Sequence, residues 1–376
     1  MDLGDWIVLI LRVVVVFAVL LVGVMLAVWM ERKVVADMQT RMGPMRAGPR
    51  GVLQSLADGV KLFFKEGVMP LDADKWVYLA APVIALIPAF LGFAVIPFGV
   101  TQEIAGREVP FQLANLNVGV LWILAMSSLA VYGVVLAGWS SGSRYPLLGS
   151  VRSTAQMISY EVPMGLALVA VIMFSGKLDL AGIVDAQAKV WNVIPQLPAF
   201  LIFIITALAE TNRPPFDLAE AESELVAGFF TEYSGIKFSV FALSEYLHTV
   251  TVAAVAVTLF LGGWRGPAPE FLPWLWPVAW FLLKVVAVLY LFMWIRATLP
   301  RFRYDRLMAF GWKVLLPIGL LWVLATAWVV VLREEAQAAG TSLLDQPLLW
   351  WGVGVCAVMI VVALFWPQRK DEGVTA

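Results

Sequence analysis

The sequence is poor in the residues that hold cofactors and in those that face water. Among its 376 residues there is one cysteine, Cys356, and one histidine, His248. A single thiol excludes a disulfide framework and any self-contained iron–sulfur site, which takes about four thiolates. A single imidazole excludes a haem held between two histidines. Charged residues make up only 14% of the chain, roughly half the share of an average soluble protein. Hydrophobic residues make up 61%, and the mean hydropathy is +0.86. So little polar surface cannot cover a water-exposed globule, which excludes a soluble enzyme, a disordered scaffold and a nucleic-acid binder. The formal net charge of -1 becomes informative only when the charges are placed along the chain.

What is there instead is long apolar runs. A bilayer core of about 30 Å takes about 20 apolar residues per helix. Such runs occur at roughly 6–30, 76–98, 117–139, 154–175, 196–212, 237–262, 272–297, 309–332 and 347–366. The expected fold is therefore an all-α polytopic membrane protein of about nine transmembrane helices. Trp29, Trp76, Trp139, Trp264, Trp274, Trp294 and Trp366 fall near span ends, as aromatic belts do. The first run does not read as a cleaved signal peptide. Asp2 and Asp5 occupy what would be a basic leader, and no small-residue cleavage site follows. Glu31-Arg32-Lys33 stops it, placing the N-terminus outside and the following loop in the cytoplasm. Alternating from there, nineteen of the 26 basic residues fall on the inner side and six on the outer. This satisfies the positive-inside rule with the C-terminus inside.

Residues 31–75 are too polar to span. A Gly/Pro-punctuated basic stretch, with Arg32, Arg41 and Arg46, leads into Leu53, Leu56, Val60, Phe63 and Phe64 at helical spacing. Asp58, Lys61 and Lys65 lie on the opposite side, with Glu66 just after. This pattern predicts a short amphipathic helix at the membrane interface, suited either to anchoring on lipid or to lining a crevice for an amphiphile. The loop after the fifth run crowds Glu210, Asp217, Glu220, Glu222, Glu224 and Glu232 together, with Phe216 after two prolines. Such a loop is either simply solvated or a site where like charges raise one another's pKa. Within the spans stand Glu161, Glu245, His248 and Lys284, with Tyr290 nearer the inner end of the seventh. Each charge there costs roughly 2.5–3.5 kcal/mol on insertion scales and so faces a bundle interior or water. Lys284 neutralising Glu245 across a helix interface is one reading. A hydrophilic path for protons or cations from the inner face to mid-membrane is the other.

Several segments carry a resemblance: Gly51-Val-Leu-Gln54-Ser-Leu-Ala-Asp58-Gly-Val-Lys61-Leu-Phe-Phe-Lys65-Glu66, and Pro215-Phe216-Asp217-Leu-Ala-Glu220-Ala-Glu222-Ser-Glu224-Leu-Val-Ala-Gly228. With them, in order, come Glu31-Arg32-Lys33, Arg41-Met-Gly-Pro44, Ser159-Tyr160-Glu161, Thr231-Glu232-Tyr233-Ser234, Leu261-Gly-Gly-Trp264 and Ile295-Arg296-Ala297. Over about residues 25–320 the chain resembles the quinone-site membrane subunit of respiratory complex I. That family takes in bacterial NADH–quinone oxidoreductases and the mitochondrial NADH dehydrogenase subunit 1. The resemblance divides the chain into residues 1–335, a complex I-type membrane domain of eight spans, and 336–376, an additional span and tail on which it says little.

The resemblance implies a non-catalytic-alone subunit of a proton-translocating NADH:quinone reductase in a bacterial inner membrane. It implies a quinone chamber walled by Arg32, Arg41, Arg46, Asp58, Lys61, Lys65, Glu66, Phe216 and Arg296. It further implies an acidic funnel of Glu161, Glu210, Asp217, Glu220, Glu222, Glu224, Glu232 and Glu245, with His248, Lys284 and Tyr290 as possible intramembrane partners. Quinone would be the substrate, and no metal or cofactor would be held by this chain. NADH, FMN and iron–sulfur clusters would belong to partner subunits: the peripheral-arm quinone-site subunits, the small membrane subunits and the antiporter-like subunits. Membrane lipids would be further partners. Some members carry Glu in the third span where this chain has Ser127-Ser128, so a proton route through that Glu does not carry over. The related membrane subunit of a hydrogenase or formate hydrogenlyase is the nearest alternative. A stand-alone transporter would predict an inverted repeat, and none is evident.

Overall fold

The computed structural model describes residues 3–104, 107–217, 226–267, 269 and 274–339. The expected ninth span at 347–366 and the carboxylates Glu220, Glu222 and Glu224 lie outside the described residues.

Helix α1 (Leu3–Met38) is longer than the apolar run that encodes it. Glu31-Arg32-Lys33 ends the apolar run as expected, but the helix itself continues. Those residues have good helix propensity, and the helix carries them beyond its apolar stretch until Thr40, whose φ is 53°. A single turn (Pro49–Gly51) then leads to α2 (Gln54–Phe64), the expected amphipathic helix. Asp74 caps α3 (Lys75–Phe93), its side chain accepting from the backbone N–H groups of Trp76 and Val77.

Helix α3 packs on α4 (Gly119–Ser140) through small residues, Ala85 facing Gly133, so the backbones approach closely. Helix α5 (Arg144–Ser175) begins ten residues before the expected fourth span and ends at Gly176 in the left-handed conformation. The short α6 (Leu180–Ala186) is capped by Asp179 and leads to α7 (Leu197–Glu210). Among the seven long apolar helices the most buried is α8 (Ile236–Phe260), Ala-rich and enclosed over Thr249–Phe260. It is followed by α9 (Leu275–Thr298) and α10 (Tyr304–Phe310). A π-helical turn (Gly311–Leu315) joins α10 to α11 (Leu316–Ala339). It falls just before Pro317, which cannot donate to the helical ladder.

Among the described residues seven helices are long and apolar enough to cross a membrane; α7, with 14 residues, is shorter. The loops gather at two ends. At one, Val120 N–H meets Leu178 O, and Val193 N–H meets Phe260 O at 2.9 Å. A two-stranded hairpin, β1 (Gln102–Ile104) with β2 (Arg107–Val109), adds the only strands among the described residues, with Gln102 opposite Val109. Each strand reads polar-polar-apolar, Gln-Glu-Ile and Arg-Glu-Val, too short a pattern to register against the apolar runs around it. At the other end, Asp74 N–H meets Ser140 O and Phe302 N–H meets Pro215 O. Successive long helices therefore begin and end at these two groups of loops, with the shorter α7 set among them.

Candidate functional site

At 1.5 Å per residue α7 is about 21 Å long, short of a bilayer core, so its C-terminus falls inside the bundle. Glu210 stands at that terminus with its side chain 4% exposed. A carboxylate at a helix C-terminus opposes the helix dipole, and a buried charge needs partners. Two are supplied. The Ser127 hydroxyl on α4 donates to Glu210 Oε1, and His248 Nε2 on α8 lies 3.3 Å from the same oxygen. The neighbouring Ser128 hydroxyl donates to Glu161 on α5, so adjacent serines serve carboxylates on two different helices. Glu161 is in electrostatic reach of both Glu210 and His248. Glu245, one turn before His248, lines the same cavity as Thr211, Asn212 and Ser244. The structure thus brings together Glu161, Glu210, Glu245 and His248.

The chain beyond α7 is held by α5. Gln156, fully buried, donates from its amide to Ala209 O at 2.7 Å and Phe216 O at 2.6 Å. The Ser153 hydroxyl donates to Asn212 Oδ1, and Tyr160 donates to Leu307 O. Phe216 lies between Tyr160 and Phe302, both ring centroids 5.7 Å away. Arg301 donates to the backbone carbonyl of the buried Asp217. The start of the acidic loop is therefore fastened on both sides. Beside it Glu31 pairs with Arg296 and with Arg213 at 3.6 Å. The Arg213 guanidinium lies 4.1 Å over the ring of Tyr246.

Farther out on the same end, Arg32 pairs with Asp58 at 2.6 Å, and Lys61 lies 3.6 Å from the same carboxyl. Burial pushes the Asp58 carboxyl up, but hydrogen bonds from Arg32 and Gln54 and the charges of Arg32 and Lys61 hold it below the ordinary carboxylate value. No residue of α2 is buried. Its apolar side is left open, Phe64 being 81% exposed, while Ser55 ties the helix to α1 through Met25 O. Arg41, Arg46, Lys65 and Glu66 lie exposed around it.

The far end of the acidic loop is anchored by Tyr233. Its ring stacks on Tyr78 at 4.2 Å, and the Tyr78 hydroxyl donates to the backbone carbonyl of Glu232. Burial pushes the Tyr233 phenol well up, so it remains a donor, to Tyr78 O at 3.2 Å.

Lys284 does not neutralise Glu245. Its ammonium donates to Leu261 O, Gly263 O and Arg265 O, sixteen residues or more along the chain from Glu245 and about 24 Å away along the helix. With Gln187 and Asn192, which donate to Thr258 O and Leu259 O, it satisfies carbonyls that the end of α8 leaves unpaired. Tyr290 points outward, 47% exposed, and does not join the cluster.

Sequence reasoning does not mark Ser127, Ser128, Gln156, Glu31 or Arg213 as members of the site. The spacing of Ser153, Gln156 and Tyr160, polar groups on one face of a membrane helix, is the signal that reveals α5's contribution. Among the described residues no group of three or more His, Cys, Asp or Glu is arranged to hold a metal ion.

The family model described as NADH dehydrogenase matches residues 11–327. The chain is 53% identical to the NADH-quinone oxidoreductase H subunit of Frankia casuarinae, over 98% of this chain and 82% of that protein. It is 54% identical to the NADH-quinone oxidoreductase H subunit 1 of Geobacter sulfurreducens, over 86% of this chain and 95% of that protein.

Proposed function

The chain belongs to the NADH dehydrogenase family as a membrane subunit of NADH-quinone oxidoreductase, and from that premise we propose that it walls the quinone chamber and links quinone reduction to proton movement. The loop end faces the cytoplasm of a bacterium whose inner membrane the helices cross. Arg32, Arg41, Arg46, Asp58, Lys61, Lys65, Glu66, Phe216 and Arg296 border the chamber. The open apolar side of α2 suits a long isoprenoid tail, and the nearby charges suit a polar head. Electrons arrive from partner subunits of the peripheral arm, which hold the flavin and iron–sulfur clusters. Small and antiporter-like membrane subunits extend the path onward.

Reducing a quinone to its quinol consumes protons as well as electrons, and charge appearing in a low-dielectric chamber alters the protonation of nearby carboxylates. Asp217, Glu220, Glu222, Glu224 and Glu232 carry that demand inward to Glu210, Glu161 and Glu245. The observation that carries this reading is Glu210 itself. It ends a helix too short to span and is buried where a hydroxyl, an imidazole and a second carboxylate converge.

The test is the double substitution Glu222→Gln, Glu224→Gln in the whole complex reconstituted in liposomes. Quinone reduction by NADH persists, while proton uptake per quinol formed falls by about tenfold or more. Full proton uptake in the double variant removes the acidic loop from the mechanism.

A further inference from the structure

Two cavities meet at Glu210 and His248. The one toward the loop end is lined by Thr211, Asn212, Ser244 and Glu245. The other, deeper in the bundle, is lined by Gly92, Leu124, Leu168, Phe203 and Val255, with Thr251 as its added polar group. Their common wall consists of Glu210, His248, Ser127 and two alanines, Ala89 and Ala130. Alanines fill little of that wall, so the three polar side chains close it.

Both contacts to Glu210 fall on Oε1. Its Oε2 and the hydroxyl of Thr251 are buried without a hydrogen-bond partner. Glu210 is 5% exposed and Thr251 3%. A buried polar atom left in that condition costs about 1–3 kcal/mol. Both residues line the deeper cavity together with His248, so two open hydrogen-bonding positions adjoin the imidazole's cavity. Thr251 lies one turn beyond His248 on α8, as Glu245 lies one turn before it, so the three occupy successive turns of one helix.

We propose that His248 is the proton-carrying hinge between these two cavities. This rests on the path proposed above and identifies the side chain that transmits along it. Protonated, the imidazolium pairs with the Glu210 carboxylate and the wall is closed. When Glu210 takes up a proton from the Glu245 side, the pair loses its attraction. The imidazolium then turns toward Thr251 and releases its proton into the deeper cavity. The neutral ring returns and accepts the Glu210 proton, restoring the pair with no net charge left behind. The groups facing the ring are Glu210 on α7, Ser127 on α4, Glu161 on α5 and Glu245 on its own helix. The adjoining wall from α3 contributes only Pro88, Ala89 and Gly92. His248 acts through these carboxylates and is a positioning and proton-transmitting residue.

The experiment uses the intact complex in liposomes, with NADH-driven proton uptake per quinol measured across pH. His248→Gln keeps a donor for Glu210 but cannot titrate. Expected are a loss of proton uptake of about tenfold or more and a pH profile of uptake that departs from the parent's. Uptake and pH profile equal to the parent overturn the proposal. Thr251→Val, nearly the same shape without the hydroxyl, provides the second reading if His248→Gln prevents assembly. Loss of uptake supports the hinge, and unchanged uptake overturns it. Glu210→Gln separates the two levels. Normal uptake there overturns the whole path, whereas loss there with normal uptake in His248→Gln and Thr251→Val overturns the hinge alone.

Discussion

Asp58 shows how a single carboxyl fastens a helix whose apolar side is unpacked. With Arg32 on α1 and Lys61 on its own helix, it is charged below the usual carboxylate range. Because the folded-state pKa is depressed, its contribution is complete above the unfolded value of about 3.9 and is lost as pH falls through the folded value. Hydrogen exchange of α2 amides should therefore accelerate in acid only below about pH 4. Asp58→Asn should show the accelerated exchange already at neutral pH, and slow exchange in that variant would mean that Ser55 and backbone contacts suffice. At this scale the sequence is most legible where a residue is costly. Glu161, Glu210, Glu245 and His248 stand out because charge in an apolar run demands a reason. Ser127, Ser128 and Gln156 do not, since a lone hydroxyl or amide in a span is cheap and is assigned a partner only by tertiary contact.

Element lengths carry the next level of meaning. Apolar runs locate every described helix that crosses the bundle, because burial in lipid requires them. They misjudge ends, because a helix stops where its backbone is diverted and not where hydropathy falls. Thus α1 runs on through Glu31-Arg32-Lys33, and α7 ends at Glu210, where Asn212 takes a φ of 50° and the chain turns. The interval from α3 to α4 depends on close approach. A Cβ on Gly133 would sit 2.7 Å from Ala85 Cβ and 2.8 Å from Ala85 N, so even one methyl forces the helices apart. Gly133→Ala should destabilise the bundle by about 1–3 kcal/mol, read as a lower midpoint of thermal unfolding for the detergent-solubilised complex. Gly165→Ala, with nothing within 4 Å of the added carbon, should leave it unchanged. Equal effects at the two positions would show that packing against α3 does not set the cost, since helix propensity favours Ala over Gly at both.

Over the whole molecule the few charges are separated by face. Asp58, Asp217, Glu31 and their arginine partners lie at one end, with Lys284, Asp185 and Arg265 at the other. The net charge of -1 conceals this separation, which a count of basic residues along the chain exposes. The same count predicts the direction. Most arginines and lysines accompany the loops that carry Asp58 and Asp217, and cytoplasmic loops are the ones enriched in them. The consequence can be tested by replacing Cys356 with Ser and placing one new cysteine at each end, at exposed positions of opposite loops. Lys189→Cys, in the turn after α6, and Asp72→Cys, just before α3, are both exposed. In intact cells a membrane-impermeant maleimide should label Lys189→Cys and leave Asp72→Cys unmodified. Labelling of Asp72→Cys from outside would invert the molecule, turn α2 and the acidic loop away from the cytoplasm, and separate them from any electron-donating arm on that side.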